Sequence, residues 1–255
     1  MDDPHRHPDW SPPATLEERL KHFLVPPRLY MRYRAGKELR KGERELHLLP
    51  ALVDPSRTAV DAGANKGVWS HLLAARARAV HAFEPNPKLF PILRRGAAAN
   101  VTCHPLALSD RAGTARLNVP MGHGGYSNQR GTLRDLGGDQ AHASVEIATA
   151  RLDDLDLGDI GFMKIDVEGH ELTVLDGARQ TLARCRPNLI IEIEEKHTGR
   201  PIEDQVAQVE ALGYTCLVYH RGSLKLFATL DPAAIHRRPA AAEDYIFNFV
   251  FLPAP

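Results

Sequence analysis

Ala59-Val60-Asp61-Ala62-Gly63-Ala64-Asn65-Lys66-Gly67 decides the fold. A short apolar run ends in an acid, a turn carrying Gly63, Asn65 and Gly67 follows, and a helical pattern begins near Val68. Glycines in such a turn let backbone approach a neighbour or a ligand closely. The next apolar run, over 79–84, also ends in an acid, Glu84. Two successive strand–turn–helix units of this kind predict a pocket at the C-terminal edge of a parallel sheet.

The alternation extends outward from there. A helix over 68–78 joins the strands over 58–61 and 79–84. A helix over 87–99 follows, with Asn86 as its cap and Pro87 in its first turn. A third strand is expected over 100–106. The rhythm then breaks: strands over 114–119 and 144–151 flank a Gly-rich stretch, 122–138, long enough to be a functional loop. Within it His123 and Tyr126 are candidates for substrate contact. Alternation resumes with a strand over 161–166 and a helix over 172–184 that stops before Pro187. A strand over 188–194, a helix over 202–212 closed by Gly213, and strands over 214–220 and 245–252 complete the chain. The predicted class is α/β and Rossmann-like. A mostly parallel seven-stranded sheet is expected, with an antiparallel edge strand and helices on both faces. Residues 1–14, polar and with four prolines, read as a flexible tail. Residues 15–50 read as a helical extension or lid interrupted at Pro26-Pro27, and 51–255 as the main domain.

Composition narrows the function. The chain has 255 residues, 43% of them hydrophobic, and 32 basic residues balance 32 acidic ones. No positive surplus exists to recruit nucleic acid, so none is expected as a partner. Arg28, Arg32, Arg34, Lys37, Arg40, Lys41 and Arg44 crowd the N-terminal part and read as a solvated helix face. Cys103, Cys185 and Cys216 show no metal-ligand spacing and suit a reducing compartment. No leader pattern opens the chain and no apolar run approaches the roughly 20 residues that cross a bilayer. A cytoplasmic protein without membrane insertion or a bound metal is the expectation.

The turn resembles a dinucleotide fingerprint but misses it, because Asn65 stands where a glycine would admit pyrophosphate. Asp61 beside a pyrophosphate would be repulsive. S-adenosylmethionine carries an amino group, a sulfonium and a ribose diol, and no phosphate. Asp61 would hold its amino-acid end directly or through water, and Glu84 would accept from both ribose hydroxyls. The plainer reading makes both acids strand-end caps on a fold that binds nothing; their pairing on successive strands weighs against it.

At this point the chain resembles a class I methyltransferase, and more narrowly the FkbM family. The matching pieces, in order, begin with Val60-Asp61-Ala-Gly-Ala-Asn-Lys-Gly67, Ala82-Phe-Glu-Pro-Asn86 and Ala107-Leu-Ser-Asp110. Met163-Lys-Ile-Asp-Val-Glu-Gly169 and Pro187-Asn-Leu-Ile-Ile-Glu-Ile193 complete them. The resemblance implies an S-adenosylmethionine-dependent O-methyltransferase acting on a hydroxyl of a secondary metabolite or glycan. It places Asp61, Gly63, Ala64, Asn65 and Gly67 at the methionine end. Glu84 falls at the ribose, with Pro85 and Asn86 in the wall. Ala107 and Leu108 lie by the adenine, and Ser109 and Asp110 near its edge.

A hydroxyl becomes a good nucleophile only as it loses its proton, so a base is sought. Asp166, Glu168 and Glu192 stand where two central strands end, on the edge shared with Asp61 and Glu84, and His197 follows in a loop. Asp166 is also expected to touch the cofactor. Glu194 and Glu195 read as solvated charges, and His170 as a packing or capping residue beside Gly169. Three other readings remain: a divalent-metal enzyme of catechol type, a nicotinamide oxidoreductase, and an inactive binding module. A homodimer through the N-terminal helices is a further expectation.

Overall fold

The computed structural model describes residues 25–122, 125–126, 131–133 and 142–255. The expected tail, the first part of the 15–50 extension and most of the 122–138 loop, with His123, lie outside the described residues.

In chain order, α1 (Pro27–Lys41) is followed by a 3-10 turn (Arg44–Leu48) and α2 (Leu49–Leu52). Strand β1 (Thr58–Ala62), α3 (Val68–Ala74), β2 (Ala79–Phe83), α4 (Phe90–Gly96) and β3 (Val101–His104) alternate. Next come β4 (Leu106–Leu108), β5 (Gly113–Gly122), β6 (Gly125–Tyr126) and β7 (His142–Ala150). Alternation resumes through β8 (Ile160–Ile165), α5 (Glu171–Asp176), α6 (Arg179–Cys185), β9 (Asn188–Glu192), α7 (Glu195–Thr198) and α8 (Ile202–Glu210). Strands β10 (Tyr214–His220), β11 (Ser223–Leu226) and β12 (Asn248–Pro253) end it.

The main sheet runs β11-β10-β12-β9-β8-β1-β2-β3. Strands β9, β8, β1, β2 and β3 are mutually parallel, and β12 pairs antiparallel with both β9 and β10. The described sheet therefore has eight strands rather than seven: the expected antiparallel edge strand is β11, and a second antiparallel strand, β12, is inserted between β9 and β10. The eighth, β11, returns from β10 through Arg221-Gly222, both at positive φ (50° and 83°). That is the backbone a two-residue hairpin needs, reached here without the Asn or Asp that usually announces it.

Other boundaries shift for local reasons. The strand expected over 100–106 breaks at Pro105, which cannot donate to a ladder. Before it β3 joins β2; after it β4 pairs with β7 in a second sheet, β4-β7-β5-β6. Helix α3 stops at Ala74, where Asn100 Nδ2 donates to the Ala74 and Ala77 carbonyls (3.0 and 3.3 Å). Asn86 caps the turn ahead of α4, accepting from Lys88 N at 2.9 Å, and the helix itself begins at Phe90. Pro27 opens α1 rather than ending a helix, since a missing N–H costs nothing in a first turn.

The main sheet buries both faces. On one, Val60, Met163, Leu189, Ile191 and Phe251 pack with Val174, Leu182 and Val206 of α5, α6 and α8. On the other, Ala59, Phe162, Ile190 and Val250 pack with Trp69, Leu72 and Leu73 of α3 and with Leu46 and Leu49. Continuous apolar strands follow from burial on both sides. No helix among the described residues is long and apolar enough to cross a membrane.

Candidate active site

The strand order reverses between β1 and β8, and a parallel sheet opens a crevice at the C-terminal ends of such strands. There the face under α3 turns from apolar to charged. Asp61 and Lys164 are register neighbours across β1 and β8, and Glu192 pairs with Asn248 across β9 and β12. Lys164 is fully buried. Its Nζ donates to Asn248 Oδ1 at 2.8 Å, lies 3.7 Å from Asp166 and 3.9 Å from Glu43, and stands 5.2 Å from the Trp69 ring centre. Burial works against its charge, but Asp166, Glu43, Glu192 and Asp61 outweigh it and hold its pKa above the ordinary lysine value. A lysine inside the apolar run Ile160-Gly-Phe-Met-Lys-Ile165 is the sequence signal for this buried counter-charge.

The glycine turn is shaped by its protein neighbours. Gly63 has φ +83°, and a Cβ there would sit 1.8 Å from the Asp166 carbonyl oxygen. At Gly67, φ +95°, a Cβ would meet Leu93 Cδ1 at 2.7 Å. The absent side chains thus admit β8's chain end and α4. The turn's amides are also committed. Gly63 N and Ala64 N donate to the Phe83 carbonyl (3.0 and 2.9 Å), and Asn65 N donates to Glu84 Oε2 at 2.7 Å. These three donors are unavailable to a pyrophosphate, which argues against the nicotinamide reading.

Glu84 is buried and its second oxygen accepts from Asn86 N at 2.8 Å. Burial pushes it up to about 7, and the two amides restrain the rise. A carboxylate has about four acceptor positions, so capacity remains for a ligand. Asp61 differs. It accepts from the Ser70 hydroxyl on α3, is pushed up to about 6 by burial, and does not line the cavity. Its partners among the described residues are Ser70 and the charge of Lys164.

A cavity of about 290 Å³ occupies the crevice. Gly63, Ala64, Asn65, Glu84, Pro85 and Asn86 line one part of it, and Ala107 and Leu108 another. Asp166, Glu168 and Glu192 enter from the ends of β8 and β9. Gly67 and Ser109 lie outside the lining; Gly67 is packed on Leu93, and Ser109 Oγ lies 3.0 Å from His170 Nε2. Arg34, Glu38 and Glu43, from before the sheet, also line the cavity, as do Trp69, Leu117 and His170. No local sequence signal announces the N-terminal trio, because their approach depends on tertiary packing.

Asp166 and Glu192 share a hydrogen bond, and burial raises both. Lys164 opposes the rise at Asp166, while the charge of Asp166 drives Glu192 further up. Burial and their mutual repulsion therefore favour a proton held on the pair. His197 stands outside the lining, with Nδ1 3.0 Å from Glu168 Oε2 and Nε2 3.7 Å from Glu194. Hydrogen bonds to Glu168 and Glu194 raise it to about 9, so it is cationic at neutral pH and holds Glu168 in place. Glu194 is not a solvated charge. Burial favours raising it, yet hydrogen bonds from His197, Lys196 and Tyr245 bring it down to about 2. Glu195 is held by Arg237 and accepts from Ile202 N at the start of α8. His170 caps nothing with its side chain; its Nε2 lies 3.0 Å from Ser109 Oγ. Ligand atoms of Glu192, Glu194 and His197 fall within 4.8 Å of one another, a grouping able to hold a metal ion.

Residues 61–216 match the family described as the methyltransferase FkbM domain. No curated protein matches the chain in sequence. Among solved structures, methyltransferase FkbM from Methylobacillus flagellatus KT is 17% identical with a TM-score of 0.49, covering 78% of this chain and 44% of its own. The chain thus spans less than half of that protein. An rRNA methylase from Streptococcus thermophilus is 14% identical with a TM-score of 0.46, covering 83% and 95%. A Streptococcus mutans protein described as a methyltransferase, in complex with SAH, is 11% identical with a TM-score of 0.47, covering 82% and 96%. With more than half its length inside the matched family, the chain belongs to the FkbM methyltransferases, whose methyl donor is S-adenosylmethionine.

Proposed function

We propose that the chain methylates a hydroxyl oxygen of a small-molecule or glycan acceptor. One observation carries the reading: a single cavity joins a buried carboxylate with spare acceptor capacity, Glu84, to a pair of mutually hydrogen-bonded carboxyl groups, Asp166 and Glu192. The residues fit the donor. Glu84 would accept from its ribose diol, the Gly63–Asn65 turn would face its amino-acid end, and Ala107 and Leu108 would flank its adenine. When bound, S-adenosylmethionine supplies a methyl group already activated on a sulfonium. The chain's own work is then orientation and proton transfer. Asp166, beside Lys164, stays ionised and takes the proton of the acceptor hydroxyl. Glu192 donates its hydrogen bond to Asp166 and tunes it. His197 fixes Glu168 at the rim.

A second reading, an O-methyltransferase needing a divalent ion, draws support from the Glu192, Glu194 and His197 grouping. In the described residues each of these side chains already has a protein partner, which favours the first reading. An acceptor screen with labelled donor, run with and without chelator and with Asp166→Asn, tests both. The expected result is labelled hydroxyl products, insensitive to chelation and reduced at least hundredfold by Asp166→Asn. Turnover of nitrogen or carbon nucleophiles alone would reject oxygen as the target, and loss of activity on chelation would favour the metal.

A further inference from the structure

Helix α1 precedes the stretch that matches the family, yet it packs across α3 and α4 and places Arg34 in the cavity wall. Arg34 is partly buried, and its Nε is shielded from solvent with no hydrogen-bond partner among the described residues. A guanidinium is permanently charged and carries five donors in a fixed fork, so an N–H left dry and unpaired is costly. Of the acids nearest to it in sequence, Glu43 is occupied elsewhere and Glu38, one helical turn on, is turned toward Gly42. Glu43 accepts from Trp69 Nε1 and Asn248 Nδ2 at 3.1 and 2.7 Å. Deeper in the cavity, Glu84 accepts from the Asn65 and Asn86 amides, and Asp166 faces Lys164. Among the described residues no wall carboxylate is hydrogen-bonded to Arg34 Nε.

The carboxylates of the cavity suit a ligand that is cationic or donates hydrogen bonds. The donor's sulfonium, ammonium and ribose hydroxyls all fit that description. Its one anionic group is the α-carboxylate, which a planar guanidinium matches with two parallel N–H···O bonds. Arg34 lines the same cavity as Asn65, Val68 and Trp69, and its helix packs on α3, which follows directly from the glycine turn where the amino-acid part is read to lie. We propose that Arg34 binds the α-carboxylate of the methyl donor, which makes α1 a wall of the donor site. The assignment rests on the pocket reading given under Proposed function.

Titration calorimetry on the full chain tests it with two probes. S-adenosylhomocysteine has the carboxylate; 5′-methylthioadenosine keeps the nucleoside and thioether and lacks the amino acid. Wild type is expected to bind both. Arg34→Met is expected to weaken S-adenosylhomocysteine about tenfold to hundredfold, leave methylthioadenosine within about twofold, and be partly rescued in Arg34→Lys. An Arg34→Met protein that binds S-adenosylhomocysteine as wild type does, or that weakens both probes equally, overturns the assignment alone. Wild type that binds neither probe overturns the pocket reading and the assignment together.

Discussion

Glu84 and Asp61 end neighbouring strands and are buried alike, yet their partners give them different work. Asp61 is satisfied by Ser70 and the field of Lys164. Glu84 has only two backbone amides and faces the cavity, so its remaining lone pairs are its chemistry. Because burial places Glu84 near 7, its charge changes within the ordinary working range. A ribose diol donates, so it prefers the ionised carboxylate; binding then favours proton release, and affinity rises as pH climbs through about 7. S-adenosylhomocysteine measured by calorimetry from pH 6 to 8 should therefore bind more tightly at the alkaline end. Glu84→Gln should raise Kd about tenfold to hundredfold and flatten that dependence, since an amide of the same shape neither titrates nor accepts on both sides. A slope shared by wild type and variant would remove Glu84 from the ribose site.

At the level of elements, the strands over 58–61, 79–84, 161–166 and 188–194 are legible because strands buried on both faces are continuous apolar runs. Their terminal acids are legible for the same reason, as the points where such a run stops. Partners brought from afar are not legible. The helix expected over 172–184 is two helices meeting at Gly177, where a Cβ would lie 1.9 Å from the Ser109 carbonyl oxygen. The second helix is capped in trans: Asp153 accepts from Thr181 N and Gln180 N at 2.8 and 3.0 Å. Periodicity along a chain carries no trace of a cap supplied 28 residues earlier. Arg34 and Glu43 escape notice likewise, since only packing of α1 on α3 brings them to the cavity. Asp153→Ala removes the cap and should cost about 1 kcal/mol, read as a lower urea midpoint with unchanged slope. An unchanged midpoint would mean that Gly177 alone holds the junction.

Across the whole molecule, the charged end of the sheet sets how stability depends on pH. Glu192 and His197 have ordinary values of 4.5 and 6.5 in an unfolded chain. In the fold, burial and the charge of Asp166 raise Glu192 well above that, and Glu168 and Glu194 raise His197 to about 9. Between pH 7.5 and 9 both groups hold protons in the folded protein that the unfolded chain has released. The native state then binds more protons than the unfolded one, so stability falls as pH rises. Groups of opposite slope titrate elsewhere. Glu194 and Asp244, lowered to about 2, act only in acid, and His71, His81, His104 and His170, lowered by burial, are largely neutral in both states by then. The thermal midpoint of the ligand-free protein should accordingly drop steadily from pH 7.5 to 9. His197→Gln and Glu192→Gln should each remove part of that slope, whatever they do to the midpoint itself. A wild-type midpoint that stays level or climbs across the window would mean that neither group keeps its proton in the fold, and Asp166 would lose the protonated neighbour on which its role as base depends.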